Sequence, residues 1–225
     1  MSLIKKRNLV AEKFDGERSL LFVIHKFIFH FFKISDNGNV YLIDRKSNVK
    51  HSSFTVTGDS KTKGSIFDVE ICCFGIQKTI FVFDILFYNG LDIRGNKKYL
   101  LKKRLDLIDQ LLPSFNSFNI NHKILSKPYY NTISEITNEY PDIIKDGLIF
   151  TPLDEPYSMK TKWTSLFKWK PIELQTIDFY VVFHTNDETI WNLFVYNEFN
   201  ENIPFEFKSE IKVIHNFFKF YFKRY

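Results

Sequence analysis

The length, composition and charge of the chain exclude several classes of protein. Its 225 residues, 44% of them hydrophobic, are enough for one large domain, or one domain and part of another, with a sizeable core. Neither a disordered nor a collagen-like protein has this composition. The formal net charge of +5 and a pI near 9.0 favour polyanionic partners such as nucleotides or nucleic acid, without indicating which.

The cysteines and the apolar segments predict a soluble, intracellular protein. Cys72 and Cys73 are adjacent in an apolar run, so their side chains point to opposite faces of a strand and form neither a disulfide nor a metal site. Two reduced cysteines are typical of an intracellular protein. Residues 1–12 lack the apolar core of a signal peptide, and the longest apolar stretch, 19–32, is too short to span a bilayer. We therefore expect no membrane association. The compartment is either the cytoplasm or the nucleus, and the cytoplasm if the source is a virus.

The first two thirds of the chain predict mainly β-strands. These segments are rich in β-branched and aromatic residues or alternate in hydrophobicity. Their predicted bounds are 19–34, 40–45, 67–74, 79–88, 146–152 and 165–171. The polar segment 35–39 predicts a turn between the first two strands, and a tight connection at Gly75 joins the next two.

Two helices are predicted between these strands. Residues 97–113 place apolar side chains at helical spacing, and Pro113 ends the pattern. The periodic positions are Leu101, Leu105, Ile108 and Leu112. A second helix is predicted over 132–141, with Thr132 as its N-cap and Glu135 completing a capping box.

The character of the sequence changes after about residue 172. Residues 176–183 and 189–197 predict a strand pair around the turn at 184–188, and the basic, aromatic tail 210–225 fits either a helix or a strand. The sequence therefore predicts an α+β fold in which strands dominate, followed by the start of a second module.

One short motif carries most of the chemical information. Residues 13–18 read Lys-Phe-Asp-Gly-Glu-Arg, which fits the pattern Lys-x-Asp-Gly-x-Arg. A lysine is a nucleophile only when neutral, so such a lysine needs neighbouring cations or a dry pocket. Arg18 supplies a cation whose planar fork can hold a phosphate or a ribose. Gly16 allows the backbone to turn tightly and to approach a ligand closely.

Six further segments follow this motif along the chain. They are "VYLIDR" at 40–45, "FDVEI" at 67–71, "FVFDILFYNG" at 81–90, "DGLIF" at 146–150, "LFKWKP" at 166–171 and "TIDF" at 176–179. In this order they resemble the motifs of the covalent lysyl-nucleotidyltransferases, which comprise the mRNA-capping guanylyltransferases and the ATP-dependent DNA and RNA ligases. The resemblance extends over about residues 10–180.

The resemblance implies a role for each matched residue. Lys13 is the expected nucleophile, and Lys168 and Lys170 are expected to contact the α-phosphate. The expected nucleotide-binding residues are Arg18, Arg45, Glu70, Phe83, Asp146 and Asp178. Glu70 and Asp146 are also the expected ligands of a divalent metal. Phe83 is expected to stack on the base, and Phe81, on the same strand face, is the alternative.

Two features make the chain more similar to the capping enzymes than to the ligases. Asp146-Gly147 stands where ligases usually have Glu-Gly, and Trp169 separates the paired lysines. The resemblance then implies a GTP:RNA guanylyltransferase with Mg²⁺ or Mn²⁺ as cofactor. Lys13 attacks the α-phosphorus of GTP, forms lysyl-GMP with loss of pyrophosphate, and GMP passes to the 5′-diphosphate end of an RNA.

The chain also departs from the family pattern. Val69 stands where the third motif normally has glycine. Family members continue into an OB-fold domain that closes over the nucleotide, whereas about forty residues follow Phe183, too few for a five-stranded barrel. We therefore expect a nucleotidyltransferase domain of antiparallel sheets with flanking helices at 1–176, and a partial or vestigial OB-like segment at 177–225.

Alternative functions follow from these departures. A non-catalytic nucleotide- or RNA-binding capping subunit would keep the pocket without a complete lid, and an ATP-dependent polynucleotide ligase would share the Lys-x-Asp-Gly-x-Arg motif. The sequence leaves open whether a partner chain supplies the OB lid, a triphosphatase or a methyltransferase. Its 26 phenylalanines and abundant Ile, Lys and Asn resemble the residue usage of AT-rich genomes, which favours a viral or cytoplasmic genetic element as its source.

Overall fold

The structure is a computed structural model that describes residues 7–24, 38–57, 61–175, 180–184, 187–196 and 202–204. The chain forms two compact units, Met1–Pro171 and Ile172–Tyr225, and each is described by itself. None of the helices in the described part of the chain has the length and apolarity that a membrane crossing needs.

The first unit consists mainly of antiparallel strands. In chain order they are β1 (Asn8–Phe14), β2 (Glu17–Val23), β3 (Gly38–Ile43), β4 (Val49–Val56), β5 (Ile66–Phe74), β6 (Gln77–Tyr88), β7 (Leu91–Asp92), β8 (Phe115–Ser117), β9 (His122–Ser126), β10 (Lys145–Pro152) and β11 (Phe167–Trp169). A larger sheet has the order β7-β6-β5-β2-β3-β4-β8, and β9 pairs with β6 in parallel. A smaller sheet has the order β1-β10-β11.

The core lies under the larger sheet, because its strands alternate in hydrophobicity. In β2, for example, Leu21 and Val23 are buried while the residues between and before them are partly exposed. Val69 of β5 belongs to the same core cluster and is fully buried. The β-branched side chain at this motif position therefore points into the core and stiffens the strand.

The first predicted helix is confirmed, with shorter bounds and a different inner face. Helix α1 spans Leu101–Leu111 and is followed by one 3₁₀ turn that contains Pro113. Of the predicted apolar positions, Leu101 and Ile108 are buried, together with Arg104, Leu107 and Leu111, whereas Leu105 and Leu112 are only partly buried. Arg104 is tolerated in the core because its guanidinium forms a bidentate ion pair with the buried carboxylate of Asp84, at 2.6 and 3.0 Å.

The second predicted helix, over 132–141, is wrong. Only Ile133–Glu135 form a 3₁₀ turn, and its N-cap Thr132 makes no side-chain capping hydrogen bond; the Thr132 hydroxyl instead donates to the Glu135 carboxylate. Helical backbone ends at Ile136, whose ψ of 118° is extended. The segment has no apolar face to bury, since Ile133 is 57% exposed, and its β-branched residues disfavour a helix.

The second unit contains three antiparallel strands in the described residues, in the order β12 (Tyr180–His184), β13 (Asp187–Tyr196) and β14 (Asn202–Pro204). Pairing of the first two confirms the predicted strand pair around 184–188. The predicted tail 210–225 lies outside the described residues. The OB-like assignment of this unit stays a prediction.

Candidate active site

The turn that carries the Lys-x-Asp-Gly-x-Arg motif connects the two sheets of the first unit. Lys13 lies near the end of β1 in the smaller sheet, and Arg18 lies at the start of β2 in the larger sheet. Gly16 is required because a Cβ there would lie 2.6 Å from the backbone oxygen of Ile71 in β5. The close approach that this glycine permits is therefore to a neighbouring strand.

Lys13 forms an ion pair with Asp146. Its Nζ lies 2.6 and 2.8 Å from the two carboxylate oxygens. In the pairing of β1 with β10, Lys13 is opposite Gly147 and Phe14 is opposite Lys145, so Asp146 occupies a β-bulge. Bulges redirect side chains, and this one brings the Asp146 carboxylate onto the lysine.

The second of the two paired lysines contacts the same carboxylate. Lys170 Nζ lies 2.5 Å from Asp146 Oδ2, so the carboxylate bridges two ammonium groups. Partial burial by itself would raise the pKa of Asp146, but the hydrogen bonds and charges of Lys13 and Lys170 hold it below its ordinary value. Gly147 permits this approach, because a Cβ there would lie 1.9 Å from the carbonyl oxygen of Trp169.

Lys168 lies close enough to other cations to be affected by their charge. Burial, together with the positive charges of Arg18, Lys13 and Arg45, lowers the pKa of Lys168 below its ordinary value. Arg45 is exposed, in the turn that follows β3. The structure thus brings these predicted basic residues to one region, which suits a polyanion such as a triphosphate.

Arg18 is held by a buried carboxylate that the sequence reasoning missed. Its Nε and Nη2 donate to the two oxygens of Asp68 at 2.8 and 2.6 Å, and the Asp68 side chain is fully buried. The signal for Asp68 was present, because it lies two residues before Glu70 in the third motif and on the same strand face. Tyr157, which also contacts this pair, had no recognisable sequence signal.

Glu70 lies beside the motif turn and near a buried lysine. Its Oε1 accepts a hydrogen bond from the backbone N–H of Gly16 at 3.2 Å. Burial raises the pKa of Glu70 in spite of the positive charge of Lys127. Lys127, 5% exposed, was also missed, and burial lowers its pKa to about 8. No local motif indicated Lys127, because its burial depends on packing against β6. There its backbone N–H donates to the carbonyl oxygen of Val82.

The two phenylalanines considered for base stacking have different environments. Phe81 is fully buried, with its ring centroid 4.6 Å from that of Phe14. Phe83 is partly exposed, and its ring centroid lies 5.7 Å from both the Arg18 guanidinium carbon and the Lys127 nitrogen. A flat ligand can therefore reach the ring of Phe83, whereas the ring of Phe81 is covered.

Two acidic residues of the site, Glu70 and Asp146, are the predicted metal ligands. In the part of the chain that the structure describes, no group of three or more His, Cys, Asp or Glu side chains is arranged to hold a metal ion. Glu70 and Asp146 fit a cation that arrives with phosphates and water, since Mg²⁺ is usually bound through one or two carboxylates. Asp178 lies outside the described residues.

A lysine that faces a carboxylate, with further cations around it, has the charge that suits a phosphate-bearing ligand. Sequence comparison then gives the family. Residues 1–172 match the family model of the mRNA capping enzyme catalytic domain, so the chain belongs to that family. This finding confirms the family that the ordered motifs predicted.

Curated relatives carry the same description. A probable mRNA-capping enzyme of Acanthamoeba polyphaga mimivirus is 24% identical over 81% of this chain and 20% of the relative. The mRNA-capping enzyme subunit alpha of Schizosaccharomyces pombe is 30% identical over 79% of this chain and 49% of the relative. The chain thus spans half or less of the length of these relatives. The solved structure of Chlorella virus DNA ligase-adenylate aligns with a TM-score of 0.42 at 13% identity, covering 91% of this chain and 79% of that one.

Proposed function

We propose that the chain is a GTP:RNA guanylyltransferase, which forms lysyl-GMP on Lys13 and transfers the GMP to the 5′-diphosphate end of an RNA. The observation that carries the proposal is the ion pair of Lys13 with Asp146, with Lys170 on the same carboxylate at 2.5 Å. Membership of the capping-enzyme family supports the choice of reaction.

In the first step, the Asp146 carboxylate, 2.6 Å away, orients the side chain of Lys13, and the ammonium group loses its proton to water. The neutral amine then attacks the α-phosphorus of GTP. The nitrogen–phosphorus bond forms as the bond from the α-phosphorus to the bridging oxygen breaks, and pyrophosphate leaves with the electron pair. Lys168 and Lys170 stabilise the negative charge on the phosphate oxygens.

In the second step, a terminal β-phosphate oxygen of the RNA attacks the same phosphorus. The nitrogen–phosphorus bond breaks, and Lys13 takes up a proton as it leaves. Arg18, whose guanidinium is fixed by Asp68, holds the nucleotide during both steps. When bound, a divalent cation supplies further neutralisation of phosphate charge, and Glu70 and Asp146 are the residues that would hold it.

Lys127 supports a preference for GTP over ATP. Its ammonium group lies beside the accessible ring of Phe83, where the proposed base stacks. Guanine presents a carbonyl oxygen that can accept a hydrogen bond from an ammonium group, whereas adenine presents an amino group, itself a donor. A buried donor left unpaired is costly, so the adenine complex is disfavoured. We expect Lys127→Met to reduce the ratio of GTP to ATP labelling by about tenfold or more.

The proposal also covers the second unit of the chain and the partners of the enzyme. We infer that residues 177–225 form a partial or vestigial OB-like segment after a catalytic domain at 1–176, which the three antiparallel strands among the described residues of this unit support. The RNA substrate is a 5′-diphosphate end. We further propose that a partner chain supplies an OB lid, a triphosphatase or a methyltransferase.

The two half-reactions can be tested separately. The protein is labelled with α-labelled GTP, freed of nucleotide, and mixed either with pyrophosphate or with an RNA that has a 5′-diphosphate end. We expect pyrophosphate to return the label as GTP, and the RNA to take it up as a cap. Lys13→Ala should give no labelled protein, whereas Lys123→Ala, which removes an exposed lysine, should label normally.

Each contradictory outcome has a distinct meaning. If the labelled protein reacts with pyrophosphate but not with the diphosphate RNA, the RNA substrate assigned here is wrong. If the label is instead stable to both, it is not a lysyl-GMP intermediate. A nucleotide-binding subunit without catalysis would give no label in any condition.

A further inference from the structure

The hydroxyl of Tyr157 lies between Arg18 and Asp68. It donates a hydrogen bond to Asp68 Oδ2 at 2.9 Å and accepts one from Arg18 Nη2 at 3.2 Å. Asp68 is fully buried, so its carboxylate depends on these protein donors. Tyr157 therefore contacts both members of the ion pair that orients the motif arginine.

The hydrogen bonds of Arg18 occupy one edge of its guanidinium. Arginine has five N–H donors in a fixed plane. The Nε donor and one Nη2 donor go to Asp68, and the second Nη2 donor goes to Tyr157. Among the described residues, Nη1 has no hydrogen-bond partner. The two donors of Nη1 are thus the part of Arg18 that is left for a ligand.

We propose that Tyr157 is a positioning residue, which fixes the guanidinium of Arg18 against Asp68 so that the Nη1 edge faces the nucleotide. The inference rests on the proposed function, because it assigns Tyr157 a role in the nucleotide site of that reaction. Asp68 holds the Nε donor and one Nη2 donor of the guanidinium, and the hydroxyl of Tyr157 restrains the remaining Nη2 donor. Arg18 then offers its ligand a preorganised pair of donors.

Tyr157 is itself held by several neighbours. Its ring centroid lies 5.4 Å from that of Trp163, whose indole N–H donates to the Glu155 carboxylate at 3.1 Å. Its backbone carbonyl accepts from the N–H of Gly95 at 2.9 Å, and Arg104 donates to the carbonyl of Glu155 at 3.3 Å. Burial raises the pKa of the Tyr157 hydroxyl, as does the negative charge of Asp68, so it keeps its proton and stays a donor.

The test is a double-mutant cycle on the first step of the reaction. Tyr157→Phe removes only the hydroxyl, and Arg18→Lys keeps a positive charge beside Asp68 but removes Nη1. The second-order rate constant for labelling by GTP is measured for the wild type, both single variants and the double variant. We expect Tyr157→Phe to lower this constant about tenfold, which corresponds to about 1.4 kcal/mol. The hydroxyl change should have no further effect in the Arg18→Lys background.

An equal loss in both backgrounds would overturn the proposal, because Tyr157 would then act independently of Arg18. So would an unchanged rate constant for Tyr157→Phe. The matched control is Tyr130→Phe, which removes another tyrosine hydroxyl, bonded to Thr137 at 3.3 Å, and should leave the rate unchanged.

A second measurement does not depend on the folding of the Arg18 variant. The melting temperature of Tyr157→Phe should be lowered no more than that of Tyr130→Phe, while only the former loses labelling rate. A rate loss that follows a loss of melting temperature would overturn the proposal. Failure of the proposed function appears separately, as no adduct in the wild type. In that case the dissociation constant of GTP is measured by calorimetry for the same four proteins. Tyr157→Phe should weaken GTP binding about tenfold and have no further effect in the Arg18→Lys background. An equal loss in both backgrounds, or no loss for Tyr157→Phe, would overturn the proposal.

Discussion

Lys127 is predicted to lower the stability of the free protein, because it buries a positive charge. Its side chain is 5% exposed, and burial lowers its pKa from the ordinary 10.5 to about 8. At about 1.4 kcal/mol for each pKa unit, the charged lysine lowers the free energy of unfolding at pH 7 by about 3 kcal/mol. A residue that costs this much is expected where function requires it.

Replacing this lysine by methionine tests the magnitude. Lys127→Met keeps an unbranched side chain of similar length without the charge, and we expect it to raise the free energy of unfolding by up to about 3 kcal/mol at pH 7. The gain should be constant below about pH 8, because the lysine is then protonated in both folded and unfolded chains. It should shrink between about pH 8 and 10.5, where only the unfolded chain binds the proton, and vanish above that range.

The assay is urea unfolding of the wild type and the variant over the range from about pH 7 to about pH 10.5. Lys123→Met is the matched control, since Lys123 is exposed on the preceding strand, and its substitution should change the free energy of unfolding by about 0.5 kcal/mol or less. A variant that is less stable than the wild type at pH 7, or a difference that does not change with pH, would refute the reasoning.

Three further predictions concern other parts of the first unit. Gly16→Ala should lower the free energy of unfolding by about 1–3 kcal/mol in urea, because its Cβ would lie 2.6 Å from the Ile71 oxygen. Asp84→Ala should cost about 3–5 kcal/mol in the same assay, since it leaves the buried charge of Arg104 unpaired. Asp146→Asn should reduce the initial rate of labelling by GTP about 100-fold or more, because it removes the charge that, in the proposed reaction, orients the nucleophile.

Matched controls separate these effects from general damage. Gly75→Ala introduces a methyl group at a glycine where it would contact nothing, although at a positive φ of 57°, so it should cost less than Gly16→Ala. Asp109→Ala removes an exposed carboxylate from the same helix as Arg104. Equal losses in control and test variants would contradict the packing argument, and an Asp146→Asn protein that labels normally would contradict the role of this carboxylate.

The sequence predicted those features whose signals are local. Runs of β-branched and aromatic residues predicted β5 and β6, and helical spacing predicted α1. The order of the motifs predicted the family. It also assigned Lys13, Asp146 and Lys170 to one nucleotide site, and in the structure these three residues form one ion-paired cluster.

Features that depend on contacts between distant segments were missed. Arg104 lies at helical spacing from Leu101 and Ile108, on the face that α1 buries, but only Asp84 on another element explains how its charge is tolerated there. The spacing of Thr132 and Glu135 predicted a capping box, but neither the capping hydrogen bond nor the helix forms, because a helix also needs an apolar face that packs. The roles proposed for Lys127 and Tyr157 depend on the packing around them, which no local sequence pattern indicates.

The measurement that tests the central claim most directly is labelling with α-labelled GTP and, in parallel, α-labelled ATP, each with Mg²⁺ and with Mn²⁺, on the wild type and Lys13→Ala. The account predicts an acid-labile adduct with GTP only, mapped to Lys13 by mass spectrometry and absent from the variant. An adduct with ATP in place of GTP would contradict the assignment of the substrate. The absence of an adduct with either nucleotide would contradict the proposed reaction itself.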